Sequence, residues 1–370
     1  MRCPHCPSDR TVEVLSCAMP TVLSACPPDL LAASRRAPLA VHWCPDCMLG
    51  FNATPLADAE LDFIYRNYLY ISPRNGIGTS KYAGMLDLLR SHCGRGEAVV
   101  EIGCNEGYLL ETLATEGWTD LLGIEPGPQA DEAEAHGCRV RRGFFTAGML
   151  ADGSVDVFVL MHVFEHVPDP SAMLQAMRSA LRPGGRIIIE VPDFCGFHHQ
   201  HLQYYSVPFF RRLARANRLA VRSLHGDGNV VRAVLTHGDG SGSPDPAEDA
   251  AMAGRVAGIA GRWRAASETG RAAIADGGRV LWWGAGSASV IALNQLDDAL
   301  LADGRLTVVD GDPRKAGCGI PGTGLRVADA AAQAGSAWDT LVTASSFSAE
   351  IMTRAAGLGI RWNRHVTVCP

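Results

Sequence analysis

The chain has 370 residues, a length that accommodates two or three domains and an ample buried core. Its 33 Lys and Arg against 39 Asp and Glu leave a formal net charge of −6, and charged residues make up only 19% of the chain, which excludes the clustered cationic surface that nucleic acid or an anionic membrane requires. A composition that is 47% hydrophobic excludes disorder, no 18-residue apolar run is present, and the first residues lack the apolar stretch of a signal peptide, so a soluble, cytoplasmic protein is expected whose 12 cysteines serve purposes other than disulfides.

Six of those cysteines fall in the first 47 residues. Cys3-Pro-His-Cys6 and Cys44-Pro-Asp-Cys47 each leave two residues between thiols, the spacing with which two tight knuckles complete the four-sulfur tetrahedron that zinc prefers. Four protein ligands leave no open position, so the expected metal is structural. Cys17 and Cys26 read as small hydrophobes, and His5 and His42 flank the knuckles without being needed as ligands. A redox pair is the alternative, but it requires a strand-to-helix setting that this Pro-rich stretch does not offer.

From about residue 80 strands and helices alternate. Ala98-Val99-Val100-Glu101-Ile102-Gly103 is an apolar strand ending in a glycine turn, Glu101-Ile-Gly103-Cys-Asn105-Glu-Gly107, and helical apolar spacing follows from Tyr108. Leu121-Leu122-Gly123-Ile124-Glu125 is a second strand ending in a carboxylate, placed where an acid reads a ribose diol. Asp156 to Met161 reads as a buried strand, and Leu181-Arg-Pro-Gly-Gly185 as a turn leading into another. The expected fold is therefore α/β, with a doubly wound sheet that sets Gly103, Glu125 and the segment after Met161 on one rim.

These motifs, with Glu165-His166-Val167 after the fourth strand, resemble those of class I S-adenosylmethionine methyltransferases. The resemblance implies a cofactor site of Glu101, facing the methionine ammonium, Gly103, Asn105, Gly107, Glu125 on the ribose hydroxyls, Phe145 with Phe144 about the adenine, and Met161. The order of parts resembles a narrower family, the zinc-containing nucleotide-sugar C-methyltransferases: a four-cysteine module, a Rossmann-like methyltransferase core and a second Rossmann-like domain. It implies a zinc-binding module over 1–60, the core over 61–236, a linker and helix over 237–275 and a C-terminal substrate-binding domain over 276–370. It also implies a nucleotide-linked keto-deoxysugar as small-molecule substrate.

His162-Val-Phe-Glu165-His166 spells a zinc-protease motif, but that chemistry needs both imidazoles on one regular helix, which Pro168 and Pro170 oppose. On the rim, His162 and His166 are instead candidate catalytic groups. His198-His199-Gln200-His201-Leu-Gln-Tyr204 places three imidazoles in four residues, suited to proton transfer near neutral pH. The resembling family carries His-Glu-His-x-x-Tyr here, and its last histidine, matched by His201, implies a base that removes the proton next to a ketone. Gln200 stands where that family has glutamate, and an amide cannot take a proton, so O- or N-methylation of a related sugar or metabolite is the alternative outcome. His198, Gln200 and Tyr204 are expected to meet the substrate, as are Tyr68 and, in a catalytic role, Tyr70, which resemble a tyrosine-containing lid. Arg232 is either a diphosphate contact or a solvated arginine.

In the last third, a Gly/Ser/Pro stretch from Thr236 to Pro246 precedes an Ala-rich helical segment. Arg279-Val-Leu-Trp-Trp283 then enters Gly284-Ala-Gly286-Ser-Ala-Ser289, and Leu306-Thr-Val-Val-Asp310 ends in an acid, which imitates a dinucleotide fingerprint with serine at the third glycine. An NAD-dependent reductase is thus a rival, as is a zinc-dependent scaffold with an inactive core. The family resemblance implies that Gly284, Gly286 and Asp310 bind substrate.

Overall fold

A computed structural model describes residues 1–67, 72–75, 79–240, 244–276, 278–345 and 347–368. The chain divides into two compact units: one of residues 1–13, 41–55 and 80–256, the other of residues 14–40, 56–79 and 257–370.

In the first unit seven strands build one sheet: β1 (Val99–Ile102), β2 (Leu121–Glu125), β3 (Val140–Arg142), β4 (Val155–Met161), β5 (Leu181–Pro192), β6 (Leu219–Gly226) and β7 (Val230–His237). Their order is β6-β7-β5-β4-β1-β2-β3, parallel from β5 to β3 and antiparallel at β5-β7 and β7-β6. The parallel strands are buried on both faces, which is why Val157 to Leu160 and Ile187 to Ile189 read as unbroken apolar runs. Tyr82, Met85, Leu86 and Leu89 of the helix Thr79–His92 pack with Val99, Leu109, Leu113, Val157, Val159 and Ile188 into one core. With no side chain at residue 185, Leu181 can approach: a Cβ there would lie 2.7 Å from Leu181 Cγ.

The second unit carries five parallel strands, β8 (Val280–Trp283), β9 (Leu306–Asp310), β10 (Val327–Asp329), β11 (Ala337–Thr343) and β12 (Arg361–Thr367), in the order β10-β9-β8-β11-β12. Leu281, Trp283, Val309, Leu341 and Ile351 form its core. The fold is α/β and Rossmann-like, as expected, with one mixed and one all-parallel sheet.

Residues 1–60, expected as the zinc-binding module, are divided between the two units. Residues 41–52 pair as an antiparallel hairpin whose second strand, Gly50–Asn52, also pairs with Gln203–Tyr204, and this ladder ties the knuckles to the first unit. Residues 14–40 belong to the other unit, where Cys26 and Gly319 exchange both backbone hydrogen bonds at 3.0 Å. The expected linker is largely helical, Pro246–Ala257 and Ile259–Ala275. Arg211 with Glu248, Arg212 with Asp249 and Arg255 with Asp193 pin the first of these helices to its unit. Among the described residues no helix is long and apolar enough to cross a membrane.

Candidate active site

The glycine turn after β1 is shaped by left-handed backbone at Gly103 (φ 73°), Asn105 (φ 52°) and Gly107 (φ 76°). A Cβ at residue 103 would stand 2.4 Å from Val163, and one at residue 107 would stand 2.6 Å from the Cys138 sulfur. Both glycines are therefore demanded by the protein's own packing and not only, as the motif suggests, by room for a ligand. Glu125 ends β2 and holds the turn: it accepts from the Asn105 N–H at 3.0 Å and the Gly127 N–H at 2.7 Å.

Glu101 differs. It is 3% exposed, its Oε2 has no hydrogen-bond partner among the described residues, and burial together with the Glu125 charge pushes its carboxyl well above the usual range. A buried carboxylate left unpaired is costly unless a cation completes it. An ammonium such as that of S-adenosylmethionine fits this acid, so Glu101, Glu125 and the turn between them suit the cofactor. Phe145 lies against Phe158 of β4 with ring centroids 5.6 Å apart, whereas Phe144 is 62% exposed.

β1 and β4 are parallel neighbours, and at the end of β4 His162 takes a left-handed conformation (φ 54°) and gives its backbone N–H to Glu190 O at 2.9 Å. Its Nε2 is 3.1 Å from Glu190 Oε1 and its Nδ1 3.4 Å from Glu165 Oε1. Glu190 also accepts from Arg232 Nε at 2.6 Å, an ion pair in which the Arg232 side chain stays 28% exposed. Burial raises both acids, but their neighbours prevail: His162 and Arg232 hold Glu190 below the usual carboxylate range, and His162 and His166 do so for Glu165. Burial also lowers Lys81, whose charge faces both acids. The segment Phe164–His166 is a single 3-10 turn, so no regular helix presents His162 and His166 as a protease would.

His198, His199, Gln200 and His201 are all buried. The hairpin strand holds them in place: the Asn52 N–H donates to Leu202 O at 3.0 Å, the Leu202 N–H to Glu165 O at 2.9 Å, and the Tyr204 hydroxyl to His198 O at 3.1 Å. His166 Nδ1 is 2.7 Å from the Gln200 carbonyl, and His201 Nε2 is 3.8 Å from Glu165 Oε1. Burial and neighbouring imidazoles lower His198 to about 3 and His201 well below its usual value, which keeps both neutral. Tyr68 and Tyr70 lie outside the described residues.

The four sulfurs of Cys3, Cys6, Cys44 and Cys47 lie within 4.8 Å of one another, with Cys3 to Cys47 at 3.7 Å and Cys6 to Cys44 at 3.6 Å. Tetrahedral zinc at its usual sulfur distance places thiolates about 3.8 Å apart. The cluster fits that ion. Its hairpin is the one that positions the histidine segment: Ser206 Oγ donates to Met48 O at 2.8 Å, and Gly50 pairs with Tyr204.

In the second unit Asp310 accepts from the Ala285 N–H at 2.7 Å, the Asp312 N–H at 2.8 Å and Lys315 Nζ at 3.1 Å. Ser289, at the third-glycine position, donates to Gly284 O at 2.6 Å and accepts from Trp282 Nε1 at 3.0 Å. The Ala285 carbonyl takes the Ala25 N–H at 2.8 Å. The turn is closed by the unit's own groups.

Glu165 and Glu190 are the functional candidates that motif reading passes over. Their signal is a carboxylate at the end of a strand that is otherwise apolar, after Ile187-Ile188-Ile189, and a glutamate inside a motif read for its histidines.

Residues 79–224 match the family model described as a methyltransferase domain. The ubiquinone biosynthesis O-methyltransferase of Cupriavidus pinatubonensis is 38% identical over 102 residues, 25% of this chain and 41% of that protein. An uncharacterized methyltransferase of Mycobacterium sp. (strain JLS) is 34% identical over 116 residues, 30% of this chain and 46% of that one. The chain thus spans less than half the length of these curated relatives. Among solved structures, a Haloferax volcanii complex of the Trm112 methyltransferase activator with a putative methyltransferase matches with TM-score 0.40 and 19% identity, covering 45% of this chain and 95% of that one. An S-adenosylmethionine-dependent methyltransferase from Mesorhizobium loti matches with TM-score 0.36 and 13% identity, covering 40% and 95%. The chain carries a methyltransferase domain with a Rossmann-like fold.

Proposed function

We propose that the first unit transfers a methyl group from S-adenosylmethionine to a small molecule, with His162 as the base and a nucleotide-linked keto-deoxysugar as the acceptor. The observation that carries this reading is the His162–Glu190 contact of 3.1 Å at the end of β4, one strand from Glu101 with its buried Oε2. Bound S-adenosylmethionine supplies an activated methyl that needs only an aligned nucleophile. Glu101 holds its ammonium. Glu190 fixes the His162 ring and supports the imidazolium formed when His162 takes the proton next to the ketone, and the resulting carbanion is the nucleophile. Glu190 is kept ionised for this task by Arg232.

His201 is the base that the family resemblance implies, but its side chain is 9% exposed against 22% for His162, and His162 stands on the rim. The four-thiol cluster would hold zinc as a structural ion that anchors the strand under residues 198–205. A second reading is O-methylation, favoured by Gln200 in place of a carboxylate and by the relatives named O-methyltransferases. The reductase reading loses ground because Asp310 is already saturated.

The test is a screen of keto-sugar nucleotides and of hydroxylated aromatics with methyl-labelled cofactor, the labelled atom being read by NMR. We expect a new carbon–methyl signal, and His162→Ala lowering kcat at least 100-fold with cofactor affinity unchanged. A label on oxygen selects the second reading, and full activity of His162→Ala refutes the base.

A further inference from the structure

Besides the cysteine cluster, one other group of donors in the described residues converges on a point. Glu165, His166 and His201 each offer a ligand atom, and these atoms lie within 4.8 Å of one another. We propose that they bind a divalent first-row transition metal, a second metal site distinct in chemistry from the four thiols.

The carboxylate is the first argument. Glu165 is 1% exposed and neither of its oxygens has a hydrogen-bond partner among the described residues; His162 Nδ1 stands 3.4 Å and His201 Nε2 3.8 Å from its Oε1. A buried carboxylate normally takes several hydrogen bonds, or a metal ion in their stead.

The imidazoles are the second. Nδ1 of His166 lies 2.7 Å from the Gln200 carbonyl, which can only accept, so Nδ1 carries the hydrogen. A ring nitrogen that donates to a backbone carbonyl is the usual support of a metal-bound histidine. His201 is buried, and its Nε2 faces Glu165 Oε1 at 3.8 Å.

The third is how the donors are held. Glu165 and His166 share one turn after β4, His201 comes from a separate segment, and the two are laced by the Leu202 N–H to Glu165 O and by His166 to Gln200 O. Donors about 2.1 Å from a cation stand roughly 3.0–3.4 Å apart for octahedral or tetrahedral angles, so the 3.8 Å between Glu165 and His201 closes with a movement below an ångström. Two imidazoles and one carboxylate suit zinc, iron(II), cobalt(II) or manganese(II) and leave coordination positions open to water or to an oxygen of a bound molecule. The thiol cluster has no such opening.

Untagged full-length protein, stripped and reloaded with cobalt(II), tests this. We expect two equivalents, one with the intense thiolate charge-transfer bands of the cysteine site and one with only weak ligand-field bands. Glu165→Gln and His201→Ala each lose the second equivalent and keep the thiolate bands, which report that the unit has folded. Should either variant lose those bands, His166→Gln is read in its place, with the same expectation. A single equivalent in the unaltered protein, or a second one that survives in every variant retaining the thiolate bands, overturns the proposal. Metal counting does not depend on methyl transfer, so the two readings fail separately.

Discussion

In the seven-stranded and the five-stranded sheet alike a buried strand runs into a glycine turn and the next strand ends in an acid: Glu125 beyond Gly103 and Gly107, Asp310 beyond Gly284 and Gly286. Glu125 and Asp310 do the same local work, each accepting one amide of the glycine turn before it and the amide two residues beyond itself. The difference lies in what remains. In the first unit a further carboxylate, Glu101, is buried with an unpaired oxygen. In the second unit Asp310 has its own cation, Lys315 at 3.1 Å, and the turn's Ala285 carbonyl is taken by the Ala25 N–H at 2.8 Å. One turn keeps an unmet demand for positive charge, and the other has met its demands within the chain. A glycine turn with an acid is thus a supersecondary unit before it is a binding site.

The comparison breaks first at Asp310. Lys315 is 4% exposed, so Asp310→Ala strands a buried ammonium and should cost about 3–5 kcal/mol of stability. The double variant Asp310→Leu with Lys315→Met should recover most of that loss, because removing both charges is close to neutral. Denaturant unfolding with a probe on the buried Trp282 and Trp283 reads both. A loss below 1 kcal/mol for Asp310→Ala would show an acid that the fold does not need, and would return Asp310 to the list of ligand contacts.

The same test at Glu101 should give an opposite pattern. Glu101→Gln removes one charge-assisted contact of about 1.5–3 kcal/mol, so the dissociation constant for S-adenosylmethionine should rise roughly 10- to 150-fold. Burial and Glu125 raise the Glu101 carboxyl in the folded chain, so the folded state binds a proton that the unfolded state releases at lower pH. Stability should therefore fall as pH rises from the unfolded carboxylate value through the raised one, and Glu101→Gln should remove that fall. Cofactor affinity should rise over the same interval, up to tenfold per pH unit, because the ammonium requires the ionised form. Calorimetry in buffers of different ionisation enthalpy should detect a proton released on binding. A flat affinity profile for the unaltered protein would mean that Glu101 does not meet the ammonium.

The distinction between the turns was only half visible in the sequence. Strand, turn and terminal acid were legible at both places, because apolar runs bounded by glycine are local signals, and the 3.6-residue and two-residue periodicities carry them. The pairing of Asp310 with Lys315, five residues on, is local too, but a lysine beside an acid reads as a solvated pair until burial is known. What closes the second turn comes from Ala25, some 260 positions away, and no periodicity announces such a contact. The first unit repeats the lesson. The cysteine spacing pointed to the knuckles, but not to a hairpin that pairs with Gln203–Tyr204 and so seats the histidine segment. His198, His199, Gln200 and His201 read as groups suited to proton transfer, and their burial is not legible in the sequence. The acids beside them, Glu165 and Glu190, arrive from two different strand ends that only the sheet order β5-β4 brings together.

The smallest effect is expected at the glycines themselves, and it separates the turns on geometry alone. Gly107 sits at φ 76° with Cys138 Sγ 2.6 Å from where a Cβ would be, so Gly107→Ala must pay both backbone strain and a displaced sulfur, about 1–3 kcal/mol together. Gly286 has φ −94° and no atom within 4 Å of the same position. Gly286→Ala should then change stability by less than about 0.5 kcal/mol. If a nucleotide phosphate approached this turn as it does a dinucleotide fingerprint, the added methyl would block it, and a substrate dependence on Gly286 would appear in KM although the fold is untouched. An unchanged KM with unchanged stability leaves Gly286 as a residue of the helix start, in keeping with a turn whose acid and carbonyl are already occupied from within the chain.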